Sequence, residues 1–305
     1  TLDHLTNGRI AWNVVTSYLE SMARSYGKGD LPEHDERYNM ADEYCELCYK
    51  LWESSWEDDA VIKDVQRRVY ADPSKVHDVV HDGKYYQMAG CHLSEPSPQR
   101  TPVLYQAGSS PRGQQFAARH AECVFLTVPT PEVAAQYTRV TREQAKQNGR
   151  DPEKLLFFTA LKLITASTEK EVREKYDAYA EQVTYDGAMA LLSGWTGYDF
   201  GKLEPDQPLA SLETNNTTSF WQSFTKGNTD ENLTLRDLAR YVGIGGAQPV
   251  VFGTPETIVA ELENWIKAGV DGFNIAYTVT PGSFEDFIDG VVPILQRKGL
   301  MQTEY

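Results

Sequence analysis

The chain alternates apolar runs with amphipathic helical stretches, and this alternation constrains its fold more than any other feature of the sequence. Residues 155–164 (LLFFTALKLI) are apolar almost throughout, and a charged stretch with helical spacing follows them. Apolar runs of this kind are typical of parallel strands that helices cover on both faces. We count five core strands, around residues 9–15, 102–107, 122–127, 155–164 and 271–277. The sequence therefore predicts an α/β fold built from parallel β/α units.

Residues 184–250 interrupt this alternation. The segment is rich in Gly, Asn, Thr and Trp, and it is too long for an ordinary connection between two elements. We interpret it as an insertion within a single domain that spans residues 1–305, and as a candidate lid over a binding site.

Charge and cysteine content narrow the functional classes. The 305 residues carry a net charge of −15, which argues against nucleic acid or an anionic membrane as the main partner. No apolar stretch approaches the ~20 residues of a membrane span. Four cysteines (Cys45, Cys48, Cys91 and Cys123) are too few for a disulfide framework and fit a reducing compartment, so we expect a cytoplasmic protein.

Residues 106–113 (QAGSSPRG) follow a predicted strand and precede a predicted helix. Gly108 permits a close backbone approach, Ser109 and Ser110 offer hydroxyl groups, and Pro111 suits the first position of a helix. A helix N-terminus at the carboxyl end of a parallel strand binds phosphate groups well. The same residues also suit a simple helix cap, and the motif alone leaves both interpretations open.

The segment HDERY places His34 and Tyr38 four residues apart. On a helix the two side chains would share one face, where they could bind one ligand or form a solvated surface pair.

Two other patterns indicate structural roles rather than metal binding or redox chemistry. His77 and His81 are also four residues apart, on a stretch that we predict to be a helix ending at Asp82-Gly83, but the glutamate of a zinc-protease motif is missing. The CELC segment at 45–48 lies in an aromatic-rich helical pattern, and we expect buried structural thiols there rather than a metal or redox site.

Two glycine-rich segments lie within the predicted insertion. LLSGWTGYDF (191–200) contains Trp195, which could form an apolar substrate wall or pack inside the insertion. VGIGG (242–246) follows no clear strand, so it is a weak dinucleotide motif.

Taken in order, several blocks of the chain resemble one family. The blocks are LDHLTNGRIAWNVVTS (2–17), HDERY (34–38), HDGKYY (81–86), PVLYQAGSSPRG (102–113), WTGYDF (195–200), YVGIGGAQPVVFGTPE (241–256) and VDGFNIAYTVTPGSF (270–284). They resemble the bacterial-luciferase-like flavin monooxygenases, in the branch that contains nitrilotriacetate, dibenzothiophene-sulfone and long-chain alkane monooxygenases. The resemblance covers essentially the whole chain.

This resemblance implies a (β/α)8 barrel with insertions, in a protein that forms homodimers or homotetramers. It implies FMN as cofactor, which a separate NAD(P)H-dependent reductase delivers as FMNH2. The reduced flavin would react with O2 to a C4a-(hydro)peroxyflavin, which would transfer one oxygen atom to a small organic substrate. An insertion that excludes water would protect such an intermediate.

The resemblance also assigns residues by position. His34 and Tyr38 match flavin contacts, Ser109 and Ser110 match the phosphate-binding serines, and Asn13 matches the polar end of a strand beside the flavin. Val242 and Gly243 match a loop near the flavin ring, and Trp195 and Asn215 are expected at the substrate pocket, with Asn215 in the polar tip of the lid (residues 214–216). No metal ligand and no acid–base residue is implied.

Members of the family have roughly a hundred or more residues before the LDHL block, which supply the first three barrel strands. We therefore expect this chain to be the C-terminal portion of the enzyme, whether truncated, cleaved or encoded in two pieces. Two other hypotheses stay open: a deazaflavin-dependent oxidoreductase of the same superfamily, and a non-catalytic flavin-binding remnant.

Overall fold

The computed structural model describes residues 1–17, 19–27, 29–196, 198–209 and 233–304. The chain divides into two compact units. The first unit comprises Thr1–Val124 and Gln144–Leu155, and the second comprises Phe125–Glu143 and Leu156–Tyr305. No helix in the described ranges combines the length and the apolar character that a membrane crossing requires.

The first unit contains three parallel strands, two hairpins and four complete α-helices among its described residues. Its elements are, in chain order, α1 (Leu2–Thr6), β1 (Ala11–Val14), α2 (Glu20–Ser25), α3 (His34–Ser54), β2 (Val61–Asp64), β3 (Val69–Ala71), β4 (Val79–Asp82), β5 (Gln87–Gly90), β6 (Val103–Gln106), α4 (Pro111–His120) and the start of β7 (Cys123–Leu126). β6 lies between β1 and β7, and all three run parallel. In this register Asn13 of β1 is the partner of Tyr105 of β6.

Helices α3 and α4 pack on these strands through one apolar cluster. Its buried members are Val14, Tyr38, Cys45, Leu104 and Phe116. Tyr38 and Cys45 are seven residues apart, so they lie on the same face of α3. The cluster therefore fixes α3 against both β1 and the helix that follows β6.

The two hairpins lie between α3 and β6. Residues 79–90 form one of them, with β4 and β5 paired antiparallel. The turn joins them at Gly83, whose N–H donates to the carbonyl of Tyr86 over 3.0 Å. The β2–β3 hairpin was not predicted, because its strands have only four and three residues.

The second unit is built around the long strand β8. Its elements are the end of β7, most of α5 (Pro131–Gln147), β8 (Leu156–Thr165), α6 (Glu169–Glu181), α7 (Tyr185–Thr196), α8 (Leu235–Gly245), β9 (Val250–Gly253), α9 (Pro255–Lys267), β10 (Gly272–Ala276), α10 (Gly282–Asp286), a π-helical turn (Phe287–Val291) and α11 (Val292–Arg297). β8 pairs in parallel with both β9 and β10.

The predicted α/β alternation is confirmed, with one correction to the number of strands. The five predicted core strands are present as β1, β6, β7, β8 and β10. The count is one strand short, because the four-residue β9 also pairs in parallel with β8. Helices follow β6, β7, β8 and β9 directly along the chain, as parallel strands require.

The described parts of residues 184–250 are mostly helical. α7 and α8 pack around a buried apolar cluster, whose members are Ala188, Met189, Leu192, Phe200, Leu209, Leu235, Leu238, Ala239 and Val242. The segment therefore has a hydrophobic core of its own. Residues 210–232, which include Asn215 and the rest of the predicted lid tip, lie outside the described residues.

Candidate functional site

The chain makes a tight turn between Gln106, the last residue of β6, and Pro111, the first residue of α4. Ser110 is the N-cap of α4, and its hydroxyl accepts a hydrogen bond of 3.0 Å from the N–H of Gly113. The helix-cap interpretation is thus confirmed for Ser110. The hydroxyl of Ser109 makes no hydrogen bond to any residue within the described ranges, so it is available to a ligand.

Two glycines bring this turn against the hydroxyl group of Tyr38. A Cβ atom on Gly108 would lie 2.1 Å from that oxygen, and one on Gly113 would lie 2.8 Å from it. Real side chains do not approach so closely, so both positions require glycine. The tyrosine hydroxyl is therefore held at the N-terminus of α4.

His34 and Tyr38 share one face of α3, as their spacing predicts. Their rings meet edge to face with centroids 5.2 Å apart. Tyr38 is buried, whereas the side chain of His34 is 47% exposed and its Nδ1 atom lies 2.6 Å from Asp35. The pair thus combines an anchored phenol with an accessible imidazole at the start of α3.

Gln106 lies beneath the turn and was not identified from the sequence. It is 2% exposed, and its Nε2 atom donates to the Tyr38 hydroxyl over 3.4 Å. Its Oε1 atom is buried without a hydrogen-bond partner among the described residues. An unsatisfied buried carbonyl oxygen costs free energy, and a ligand that donates a hydrogen bond would remove that cost.

A buried polar network extends from the first turn of α4 towards its end. Arg112 pairs with Asp42 of α3, which also bonds to the Nε2 atom of His120 at 2.8 Å. Tyr49, two turns further along α3, bonds to the Nδ1 atom of His120 at 2.9 Å. No sequence motif indicated this network, because His120 is 78 residues from Asp42 and 71 from Tyr49.

The network shifts the acidity of its members. Burial acts to raise the pKa of Asp42, but hydrogen bonds from His120 and Arg112 outweigh it and hold that pKa below its usual value. Burial raises the pKa of Tyr49, so its phenol stays protonated. Burial also raises the pKa of Cys45 to about 12, which fits the buried structural thiol predicted for CELC.

The β6–α4 turn has the properties of a phosphate site. α4 has ten residues, and its N-terminus carries the partial positive charge of the helix dipole. Ser109 adds a hydroxyl donor, and the tyrosine hydroxyl lies beside the turn. FMN fits this set: a terminal phosphate group accepts hydrogen bonds from the turn, and the hydroxyl groups of its sugar chain could donate to the Oε1 atom of Gln106.

The other predicted residues lie elsewhere. Asn13 is exposed at the end of β1 and lines a cavity of about 680 Å³ together with Trp12, Tyr44 and Tyr86. Val242 and Gly243 lie inside α8, so the expectation of a loop is wrong. A Cβ atom on Gly243 would lie 2.3 Å from Val183, so this glycine allows close packing of the helix.

Trp195 lies near the end of α7 and is partly buried against the cluster of α7 and α8. Its packing role is thus confirmed, and a role in substrate binding stays a prediction. Val242 is buried in the same cluster.

The two spaced histidines are not on a helix. His81 lies in β4, where its Nδ1 atom is 3.2 Å from the ammonium group of Lys50 and its Nε2 atom is 3.2 Å from Glu43. His77 precedes that strand and contacts Glu57. The helical prediction fails because apolar Val79 and Val80 alternate between buried and exposed, as in a strand.

The fold and the turn define a parallel β/α protein with a helix N-terminus at the carboxyl end of a strand, an arrangement that often binds anions in nucleotide-binding enzymes. A family model described as "Luciferase-like monooxygenase" matches residues 1–272 of the chain. The chain belongs to this family.

Curated relatives support the predicted branch. A dimethyl-sulfide monooxygenase of Hyphomicrobium sulfonivorans is 49% identical over 100% of this chain and 64% of its own length. A long-chain alkane monooxygenase of Geobacillus thermodenitrificans is 44% identical over 100% of this chain and 65% of its own length. A dibenzothiophene-sulfone monooxygenase of Rhodococcus erythropolis is 37% identical over 100% of this chain and 68% of its own length. The chain thus spans about two thirds of each relative.

Solved structures give the same result for the fold. The crystal structure of DmoA from Hyphomicrobium sulfonivorans superposes with a TM-score of 0.90 at 48% identity, over 100% of this chain and 65% of that one. A riboflavin lyase solved with modified FMN and riboflavin superposes with a TM-score of 0.87 at 38% identity, over 100% and 67%. The fold class is therefore the luciferase-like variant of the TIM barrel.

Proposed function

We propose that the protein is a monooxygenase that uses reduced FMN and O2 to oxygenate a small organic molecule, and that a separate flavin reductase supplies the FMNH2. One observation supports this above all: beside the hydroxyl group of Tyr38, the β6–α4 turn offers a helix N-terminus and the hydroxyl of Ser109, which has no hydrogen-bond partner in the part of the chain that the structure describes. The names of the relatives are those of monooxygenases, and one similar structure was solved with modified FMN.

In this proposal the first unit binds the phosphate end of FMN. Ser109 donates its hydroxyl to a phosphate oxygen, and Tyr38 bonds to the same end of the cofactor. Ser110 keeps α4 capped, so that the helix begins at the turn. Gln106 accepts a hydrogen bond from the sugar chain through its buried Oε1 atom, which has no partner within the described ranges.

Bound reduced flavin supplies the electrons that activate O2, so the chain needs no acid–base residue for the hardest step. The protein's own task is to orient the cofactor and to exclude water from the oxygenation. His34 and Asn13 are proposed as further flavin contacts, and Val242 and Gly243 as neighbours of the ring. Trp195 and Asn215 are proposed for the substrate pocket.

The reaction itself can be tested with isotopically labelled oxygen. The purified protein is supplied with chemically reduced FMN, 18O2 and, in separate assays, dimethyl sulfide, a long-chain alkane or dibenzothiophene sulfone. One 18O atom in an oxygenated product supports the proposal. Hydrogen peroxide as the sole product with every substrate, or reduction of a deazaflavin without O2, contradicts it.

The phosphate contact can be tested by comparing the two neighbouring serines. Ser109→Ala should weaken FMN binding by about 1–2 kcal/mol, because it removes a hydrogen bond to a charged group. It should leave the free energy of unfolding unchanged. Ser110→Ala removes the helix cap and should lower the free energy of unfolding by about 1 kcal/mol. Isothermal titration with FMN and urea unfolding measure the two effects, and unchanged FMN affinity in Ser109→Ala would contradict the placement.

A further inference from the structure

Four residues on one face of α3 lie next to α4 or next to residues that contact α4. Tyr38, Asp42, Cys45 and Tyr49 follow one another at spacings of four, three and four, which places them in a row along the helix. The Tyr38 ring lies 5.6 Å from that of Phe116 in α4, and Asp42 and Tyr49 both bond to His120. The row therefore meets α4 along most of its length.

Asp42 contacts residues from both ends of α4, with Arg119 in addition 3.9 Å from its carboxylate. One carboxylate oxygen bonds to Arg112, the second residue of the helix, and the other bonds to His120, its last residue. Arg112 and His120 are eight residues apart, so their Cα atoms are separated by about 12 Å along the helix axis while both side chains reach one carboxylate. A shift of α4 along α3 would therefore break at least one of the two bonds.

Asp42 determines one hydrogen of His120. Its carboxylate can only accept, so the Nε2 atom of His120 carries a hydrogen and donates to Asp42 over 2.8 Å. In the neutral ring, the Nδ1 atom then accepts from the phenol of Tyr49 over 2.9 Å. The side chain of His120 is 4% exposed, so water does not compete for either bond.

We propose that His120 is a positioning residue for the phosphate-binding turn, which it does not touch. With Asp42 and Tyr49 it fixes α4 along α3, and so keeps Ser109 and the helix N-terminus beside the hydroxyl group of Tyr38. This inference rests on the proposed function of the turn. If His120 acts in this way, a substitution at position 120 should weaken the binding of FMN, which has the phosphate group, and leave the binding of riboflavin nearly unchanged.

Three variants separate positioning from simple burial of polar groups. His120→Leu removes both bonds, and FMN should bind about tenfold more weakly, which corresponds to one lost hydrogen bond to a charged group. His120→Gln can still donate from its amide nitrogen to Asp42 and should retain most of the affinity. Tyr49→Phe keeps the bond of His120 to Asp42, removes the bond to Nδ1 together with the hydrogen bond between Tyr49 and Cys45, and should fall between wild type and His120→Leu.

Riboflavin lacks the phosphate group and supplies the decisive comparison. Its dissociation constant, measured by flavin fluorescence as for FMN, should change by less than about twofold in all three variants. Asp42 is left intact, because its removal would also free the charge of Arg112 near the phosphate and the two effects would oppose each other. His77→Gln and Tyr70→Phe change exposed residues, one between the two hairpins and one in β3. They are the matched controls and should bind both flavins as wild type does.

The outcomes distinguish this inference from the proposed function. Equal losses of FMN and riboflavin affinity in His120→Leu, or no loss of either, overturn the positioning role. An effect of Ser109→Ala on FMN together with no effect of His120→Leu overturns the positioning role alone, whereas no effect of either variant overturns the phosphate site itself. The 15N shifts of the His120 ring should show the hydrogen on Nε2, and a hydrogen on Nδ1 contradicts the network.

Discussion

At the scale of single residues, Gly108 and Gly113 determine how closely the turn approaches Tyr38. Neither glycine has a positive φ, so neither is needed for an unusual backbone conformation. Each is needed because a Cβ atom would overlap the tyrosine hydroxyl. The neighbouring side chain of Tyr38, rather than the backbone conformation, therefore explains why these positions are glycine.

Gly108→Ala should disrupt the site. The new Cβ atom would lie 2.1 Å from the Tyr38 hydroxyl and 2.3 Å from Nε2 of Gln106, so the turn must shift. We expect a loss of about 1–3 kcal/mol in the free energy of unfolding, typical of overpacking, and a large loss of FMN affinity in calorimetry.

Adding Tyr38→Phe to Gly108→Ala removes one of the two overlapping atoms, so it should restore part of the stability without restoring FMN binding. Gly194→Ala is the control, because its Cβ atom meets nothing within 4 Å and alanine is favourable at this exposed position of helix α7. Wild-type stability and FMN affinity in Gly108→Ala would show that the turn has more room than the structure indicates.

Some of these residues could be predicted from sequence and others could not. Gly-Ser-Ser-Pro after an apolar run indicates a capped helix N-terminus, and the spacing of His34 and Tyr38 indicates a shared helix face. Gln106 gives no such signal, because glutamine is ordinary at a strand end and only its buried, unpaired oxygen marks it. His120 acts through residues more than 70 positions away, which local patterns do not detect.

At the scale of elements, acidic residues of α3 form hydrogen bonds with the β4–β5 hairpin. Glu43 accepts hydrogen bonds from the backbone N–H groups of Tyr85 and Tyr86. Glu36 accepts from Lys84 at 2.8 Å and from the hydroxyl of Tyr85 at 2.6 Å. Hydrogen bonds from Lys84 and then Tyr85 lower the pKa of Glu36 from 4.5 to about 2.

The lowered pKa of Glu36 predicts an acid-dependent contribution to stability. A carboxyl group whose pKa is lower in the folded state stabilises the fold above its unfolded pKa and loses that effect as the pH falls. Wild type should therefore unfold at higher urea concentration than Glu36→Gln above pH 4.5, and the difference should shrink as the pH falls towards 2. Urea midpoints at several pH values measure this, and a difference that does not depend on pH would contradict it.

The elements themselves were predictable where one pattern dominates. β8 has ten residues and a nearly continuous apolar run, and it was predicted almost to its ends. The family resemblance led us to expect Val242 and Gly243 in a loop, although Leu235, Leu238 and Val242 have helical spacing and are buried in α8. Position 243 is glycine because a Cβ atom there would overlap Val183, and the sequence alone does not show that these two residues are neighbours.

At the scale of the whole molecule, the protein carries a net charge of −15, and the cofactor that we propose for it is also an anion. The only cationic side chain of the segment 106–114 is Arg112, and it is paired with Asp42. The turn therefore offers the phosphate group mainly neutral donors: hydroxyl groups, backbone N–H groups and the helix dipole. The acidic remainder of the chain repels the same group at long range.

FMN binding should consequently resist salt. Raising the ionic strength from about 0.01 M to about 0.15 M shortens the screening length from about 30 Å to about 8 Å. Because screening weakens the long-range repulsion and leaves short hydrogen bonds intact, the dissociation constant should stay constant or decrease. Calorimetry with FMN at both concentrations tests this, with uncharged riboflavin as the control. A steep loss of FMN affinity with salt would show that unpaired cations hold the phosphate.

The pairing of Arg112 with Asp42 also bears on how long a flavin stays bound. If the reduced cofactor is made by another protein, the oxidised form must leave after each catalytic cycle. A free guanidinium group against a dianion would slow that departure, whereas neutral donors permit rapid dissociation. The ion pair thus favours a short residence time, which suits a cofactor that is exchanged between two proteins at every turnover.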